Sequence, residues 1–201
     1  MPKKIDYYTS PASPFVYLGH ARFVKIAADA GATINLLPMD LGGKVFPATG
    51  GLPLPKRAPQ RLAYRLVELK RFSNWLGLPM NVEPRFFPVS GEDAARLLIA
   101  VNQADGIDAA MRLSGAIASA VWAEERNIAD QQTLAELLKA QGLPQSRLDA
   151  SKQAEVQQAY ETFTRKALDA GVFGAPTFVI DGELFWGQDR LDFVARRLSA
   201  G

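Results

Sequence analysis

The chain contains no cysteine. Disulfides, thiolate metal sites and any dithiol–disulfide cycle are therefore excluded. It contains one histidine, His20, so a metal site built on several histidines is excluded too. No apolar run approaches the ~18 residues that cross a bilayer. Lys3 and Lys4 are followed by no apolar stretch of the kind a secretory leader carries. We expect a cytoplasmic protein with no membrane partner. Neither sign of charge prevails: 23 Lys and Arg face 21 Asp and Glu, a net charge of +2. That gives no global field for nucleic acid. What is there, in 201 residues, is 48% hydrophobic and 22% charged side chains. This suits one large domain, or a domain with an insertion, around a sizeable core.

Ile5 to Tyr8 reads as a strand ending at Thr9-Ser10-Pro11. Ser13-Pro14 is a helix start, because Ser caps free N–H groups and Pro tolerates the first helical position. Phe15, Leu18, Phe23, Ile26 and Ala30 then keep helical spacing up to Gly31. Thr33 to Pro38 reads as a second strand, giving a βαβ unit with parallel strands. Between Asp40 and Gln60 lie Gly42, Gly43, Gly50, Gly51 and four prolines, which predicts a long surface loop. Helical periodicity returns from Leu62 to Leu76. Met80 to Pro88 is irregular. Helices are then expected from near Ser90, over 108–125, from Asp130 and over 151–170. Nothing between Gly91 and Ala170 reads as a strand. Thr177 to Ile180 and Glu183 to Trp186 form a hairpin across Asp181-Gly182, and a final helix starts at Asp189. The two ends of the chain thus make one α/β unit, residues 1–60 and 171–201, with residues 61–170 as an all-helical insertion.

Two distant features carry chemistry. Ser13 stands at a helix N-terminus, where free N–H groups and partial positive charge favour an anion such as a thiolate. Its hydroxyl can donate to that anion, or serve only as a cap. Pro176 stands directly before a β-rich run, where it cannot donate to a ladder. A cis peptide at Ala175–Pro176 accounts for it, and so does a trans proline at a strand start. His20 lies seven residues beyond Ser13, ~10.5 Å along the helix axis. That is far beyond hydrogen-bond reach, so the pair is not a hydrolase nucleophile and base. Asn81, Arg85 and Phe86 in the irregular stretch read either as a pocket wall facing a carboxylate or as solvated loop. Trp122 reads as core. Lys56, Arg57 and Arg61 read as a small solvated basic face.

The segment Ser13-Pro14-Phe15-Val16-Tyr17-Leu18-Gly19 resembles the Ser-Pro-aromatic motif of kappa-class glutathione transferases and 2-hydroxychromene-2-carboxylate isomerases. Phe173-Gly174-Ala175-Pro176-Thr177-Phe178, with Phe185-Trp186-Gly187-Gln188-Asp189-Arg190, resembles their C-terminal signature. The resemblance runs over nearly the whole chain and is nearer to the isomerases. It implies a thioredoxin-like domain of DsbA type with a helical insertion, glutathione as cofactor and an aromatic carboxylate as substrate. It also implies a homodimer. The implied glutathione site is Ser13, Pro14, Phe15, Lys44, Gly51, Ala175, Pro176, Trp186, Gly187, Gln188 and Asp189. Within it, Ser13 bonds the sulfur, Ala175 pairs with the cysteinyl part, and Gln188 and Asp189 hold the γ-glutamyl end. Asn81, Arg85 and Phe86 would face the substrate. The chain departs from the family pattern at Ser10 (Asp), Pro47 (Lys, with Lys44 nearby) and Gly51 (Asn). The implied activity is glutathione-dependent isomerisation of an aromatic-degradation intermediate. A kappa-like transferase and a non-catalytic binding protein are the other readings.

Overall fold

A computed structural model describes residues 3–200. Strand β1 (Lys4–Thr9) pairs in parallel with β2 (Thr33–Pro38), from Lys4 opposite Thr33 to Thr9 opposite Pro38. On its other side β1 pairs antiparallel with β3 (Thr177–Ile180), which pairs antiparallel with β4 (Glu183–Trp186). The sheet order is β2-β1-β3-β4. Asp181 and Gly182 turn the hairpin with φ of 50° and 82°, the left-handed values that a tight two-residue turn requires. Helix α1 (Pro14–Asp29) crosses from β1 to β2 and packs Phe23 against the sheet. Its ring lies 4.6 Å from Tyr7 and 4.6 Å from Phe178, so the first helix and both chain ends close one aromatic core.

The segment expected as a long loop holds three short helical turns instead. A wide π turn spans Leu41–Val45, α2 spans Phe46–Thr49, and a 3-10 turn spans Leu54–Lys56. Asp40 starts the first of them by accepting the Gly43 N–H at 2.7 Å. Gly50, at φ 77°, ends the second. Helix α3 then begins at Pro59, three residues before the periodicity that announced it, and runs to Leu76.

The insertion continues with α4 (Glu92–Asp105), α5 (Ile107–Trp122), α6 (Gln131–Ala140), α7 (Arg147–Ala150) and α8 (Ala154–Asp169). Among the described residues it contains no strand. Asp130 caps α6 as expected, accepting from Gln132 and Thr133. The short α7 was not foreseen; Arg147 ties it to Asp105 by a bidentate pair at 2.7 and 2.9 Å. Leu69, Leu97, Leu113 and Trp122 belong to the same buried cluster as Tyr7, Phe23 and Phe178. The helices therefore share the core of the sheet. After β4 a 3-10 turn (Gln188–Arg190) leads into α9 (Leu191–Ser199). No helix among the described residues is long and apolar enough to cross a membrane.

Candidate active site

The sequence order Ser13-Pro14 fixes the head of α1. Ser13 is extended (φ −75°, ψ 127°) and caps the helix, its Oγ accepting from the Val16 N–H at 3.3 Å. Pro14 takes the first helical position, where no N–H is needed. No acidic residue lies in the first turn, so nothing on the helix neutralises its positive end. Ser13 Oγ also donates to the Ala175 carbonyl at 3.2 Å. The Ala175–Pro176 peptide is cis, which decides between the two sequence readings of that proline. The two features 162 positions apart in sequence are thus one hydrogen bond apart in space.

Beside them, Gly187 has φ 104°, a conformation open to glycine, and its N–H bonds the Pro176 carbonyl at 2.9 Å. This turn sets Gln188 against α1. Gln188 is 1% exposed, yet neither its amide nitrogen nor its amide oxygen has a partner among the described residues. A buried, unpaired amide costs about 1–3 kcal/mol unless something satisfies it. Asp189 pairs with Arg190 at 2.7 Å across an exposed surface, a bond weak enough to be exchanged. Trp186 packs its ring edge-on to Phe173 at 4.7 Å. A side chain at Gly174 would overlap the indole, so this close approach needs glycine there.

These residues open onto a cavity of about 1320 Å³. One wall is Ser13, Ala175, Trp186 and Gln188. The turns after β2 supply Phe46, Gly51 and Arg57. Helix α3 supplies Arg61, Tyr64, Arg65 and Phe72, and Phe87, Pro88 and Val89 close the far side. The cavity is large and mainly apolar, with a few convergent polar groups, as small-molecule sites are. Arg57 and Arg65 are desolvated there. Burial pulls the Arg65 guanidinium down to about 10, and the charge of Arg57 adds to this. Arg57 is lowered too, by burial first and then by Arg61. Tyr160, on the same lining, is pushed up by burial and then by Asp40 and Glu92.

Residues 4–199 match the model of the DSBA-like thioredoxin domain family. The chain is 31% identical over 192 residues to a 2-hydroxychromene-2-carboxylate isomerase of Pseudomonas putida, covering 93% of this chain and 90% of that protein. The chain belongs to the DsbA-like thioredoxin family, with the 2-hydroxychromene-2-carboxylate isomerases. A solved structure of such an isomerase superposes with a TM-score of 0.81 at 26% identity, over 98% of this chain and 94% of that one. Glutathione S-transferase kappa 1 of Caenorhabditis elegans is 27% identical over 211 residues, 97% of this chain and 91% of that protein. This family member differs from a thiol–disulfide catalyst at its centre, because it has no cysteine anywhere.

The structure gathers Ser13, Pro14, Phe15, Gly51, Ala175, Trp186, Gly187, Gln188 and Asp189 around the cavity. Pro176 is joined to them through the cis peptide. Lys44 is not among the lining residues; it is exposed on the π turn. Arg57 is the cation that this segment turns inward. Asn81, Arg85 and Phe86 are not brought to the cavity either. Asn81 caps its own loop by accepting from Glu83 N–H, while Arg85 stacks on Phe86 at 5.2 Å. The adjacent Phe87, Pro88 and Val89 form the wall in their place. Arg57 and Arg61, expected as part of a solvated basic face, line the cavity instead, and Arg65 beside them was not singled out in the sequence. Their signal was present: Arg61, Arg65, Glu68 and Phe72 fall at i, i+4, i+7 and i+11, a second face beside the leucine stripe.

Proposed function

We propose that the protein is a glutathione-dependent isomerase of an aromatic-degradation intermediate of the 2-hydroxychromene-2-carboxylate kind. The observation that carries the reading is Ser13, a hydroxyl at a helix N-terminus with no acidic residue in its first turn, hydrogen-bonded to Ala175 in a chain without cysteine. The site suits glutathione. Gln188, buried on the lining, has no partner among the described residues, and an amino-acid headgroup would satisfy both ends of its amide.

Bound there, glutathione would supply a thiolate able to add to a conjugated double bond and leave again, with no net redox change. The protein's own part is electrostatic. Ser13 Oγ is free to turn from the Ala175 carbonyl toward the sulfur, and the α1 N-terminus favours the anion. Ala175 offers backbone to the cysteinyl segment. Asp189 exchanges Arg190 for the ammonium group, and Arg57 offers a cation where relatives are expected to have lysine. The apolar part of the lining would shield a bound substrate from water. A homodimer and a cytoplasmic location belong to this same reading.

The test is conversion of 2-hydroxychromene-2-carboxylate, followed by absorbance with and without glutathione. Glutathione-dependent conversion supports the reading, and its absence removes it. The similarity to a kappa-class transferase favours a second outcome on the same site. A stable thioether product, in place of an isomer, would make the protein a transferase.

A further inference from the structure

The chemistry above uses the sheet side of the cavity. The opposite wall, on α3 and the turn before it, gathers more charge than this chemistry uses: beyond Arg57 stand Arg61 and Arg65. Arg57, Arg61 and Arg65 all line the cavity, and none of them forms an ion pair among the described residues. Like charges brought together at a partly dry surface repel and oppose folding. Such a cluster marks a candidate functional site, and its sign suits an anionic ligand.

Arg65 is the most committed of the three. Its Nη2 is buried without a hydrogen-bond partner. Its guanidinium lies over two rings, 5.2 Å from the centroid of Phe87 and 5.6 Å from that of Trp122. Those rings are themselves 4.6 Å apart, and Trp122 is fully buried. The plane of the guanidinium is therefore held by aromatic packing, while a donor has nothing to bond. Phe72 and Val89 add apolar surface elsewhere on the same cavity lining.

We propose that Arg65 is the carboxylate receptor for the second substrate, a planar conjugated or aromatic carboxylate whose ring rests against Phe87. This rests on the isomerase reading for the identity of that substrate, and the receptor can be tested without it. The planar fork of arginine matches a carboxylate in two parallel hydrogen bonds. The apolar surround suits an aryl ring better than a peptide. Glutathione also carries carboxylates, so the experiment must separate the two sources. Arg65 is a binding residue that fixes which electrophile enters.

The probe is chromone-2-carboxylate, a stable planar aryl carboxylate, with its neutral carboxamide as control. Both are titrated by calorimetry into the protein without glutathione. The carboxylate is expected to bind wild type, and Arg65→Gln to weaken it about 10- to 100-fold. The carboxamide should bind wild type more weakly and be indifferent to the substitution. Glutathione titrated separately should keep its affinity in Arg65→Gln. Equal binding of carboxylate and carboxamide to wild type overturns the proposal without recourse to any variant. So does no measurable binding of the carboxylate to wild type, or an unchanged carboxylate affinity in Arg65→Gln. A variant that loses glutathione alone overturns it too, and gives the arginine to the peptide. If wild type fails to bind glutathione while chromone-2-carboxylate still depends on Arg65, the isomerase reading falls and the receptor stands.

Discussion

At the scale of single residues, Ser13 does two jobs with one oxygen. It caps α1 through the Val16 N–H and donates to the Ala175 carbonyl. Ser13→Ala removes both. We expect it to cost about 1 kcal/mol of stability, measured by urea unfolding, as lost caps do. We expect turnover to fall about 10²- to 10³-fold, as when a preorganised donor is removed from developing charge. A variant that loses stability and keeps full turnover would reduce Ser13 to a cap. Gln188 makes the opposite trade. Its amide is buried and unpaired, so Gln188→Met should raise the unfolding midpoint while weakening glutathione binding. Ser13 was legible in sequence as a helix start, and Gln188 only through the motif that resembles a known family. Arg65 was not, because a helical arginine reads as solvated until the partner wall is known. The same ignorance misdirected Asn81, Arg85 and Phe86: in an irregular stretch no period says which residues turn inward, and the structure turns Phe87 inward.

At the scale of elements, the site depends on how closely the 3-10 turn at Gln188 approaches α1. Gly19 permits that approach. A side chain there would meet the Gln188 Cβ at 2.8 Å and its Cα at 3.5 Å. Gly to Ala inside a helix normally stabilises by roughly 0.5–1 kcal/mol. Here we expect Gly19→Ala to destabilise, by about 1–3 kcal/mol, because backbone must move to admit the methyl group. It should weaken glutathione binding as well, and a thermal melt with a parallel titration checks both. Gly51 follows the same logic in the turns after β2. A side chain there would overlap Phe46 unless that ring moved. The turns themselves were hidden in the sequence. Glycine and proline punctuate both loops and short helical turns, and a single turn is too short to display a period. Long elements with a clear stripe, such as α1 and α5, were readable for the converse reason.

At the scale of the molecule, the first helix and the insertion meet at His20. Its ring rests on Gly115 of α5, where even a methyl group would come within 2.8 Å of Nε2. Burial pushes the imidazole below its ordinary 6.5, and a hydrogen bond to the Met111 backbone opposes this less strongly. The unfolded chain therefore takes up a proton that the folded chain resists. Stability should be full above pH 6.5 and fall as pH drops below it. Urea midpoints at pH 7 and pH 5 test this, with a smaller difference expected in His20→Gln. The α/β order, the paired chain ends and the helical character of the insertion were readable because hydrophobic period and turn residues agree along the chain. That both parts share one core was not, since no local pattern records which faces meet.

The central claim is that Ser13 and the head of α1 hold a glutathione thiolate. The absence of cysteine makes it directly visible, because any thiolate absorbance near 240 nm must come from glutathione. The measurement is a titration of that absorbance with pH for glutathione bound to wild type and to Ser13→Ala. The bound thiol should ionise well below the free value of about 8.5, and return toward that value in the variant. A thiol that ionises at the same pH bound and free, or identically in both proteins, would contradict it.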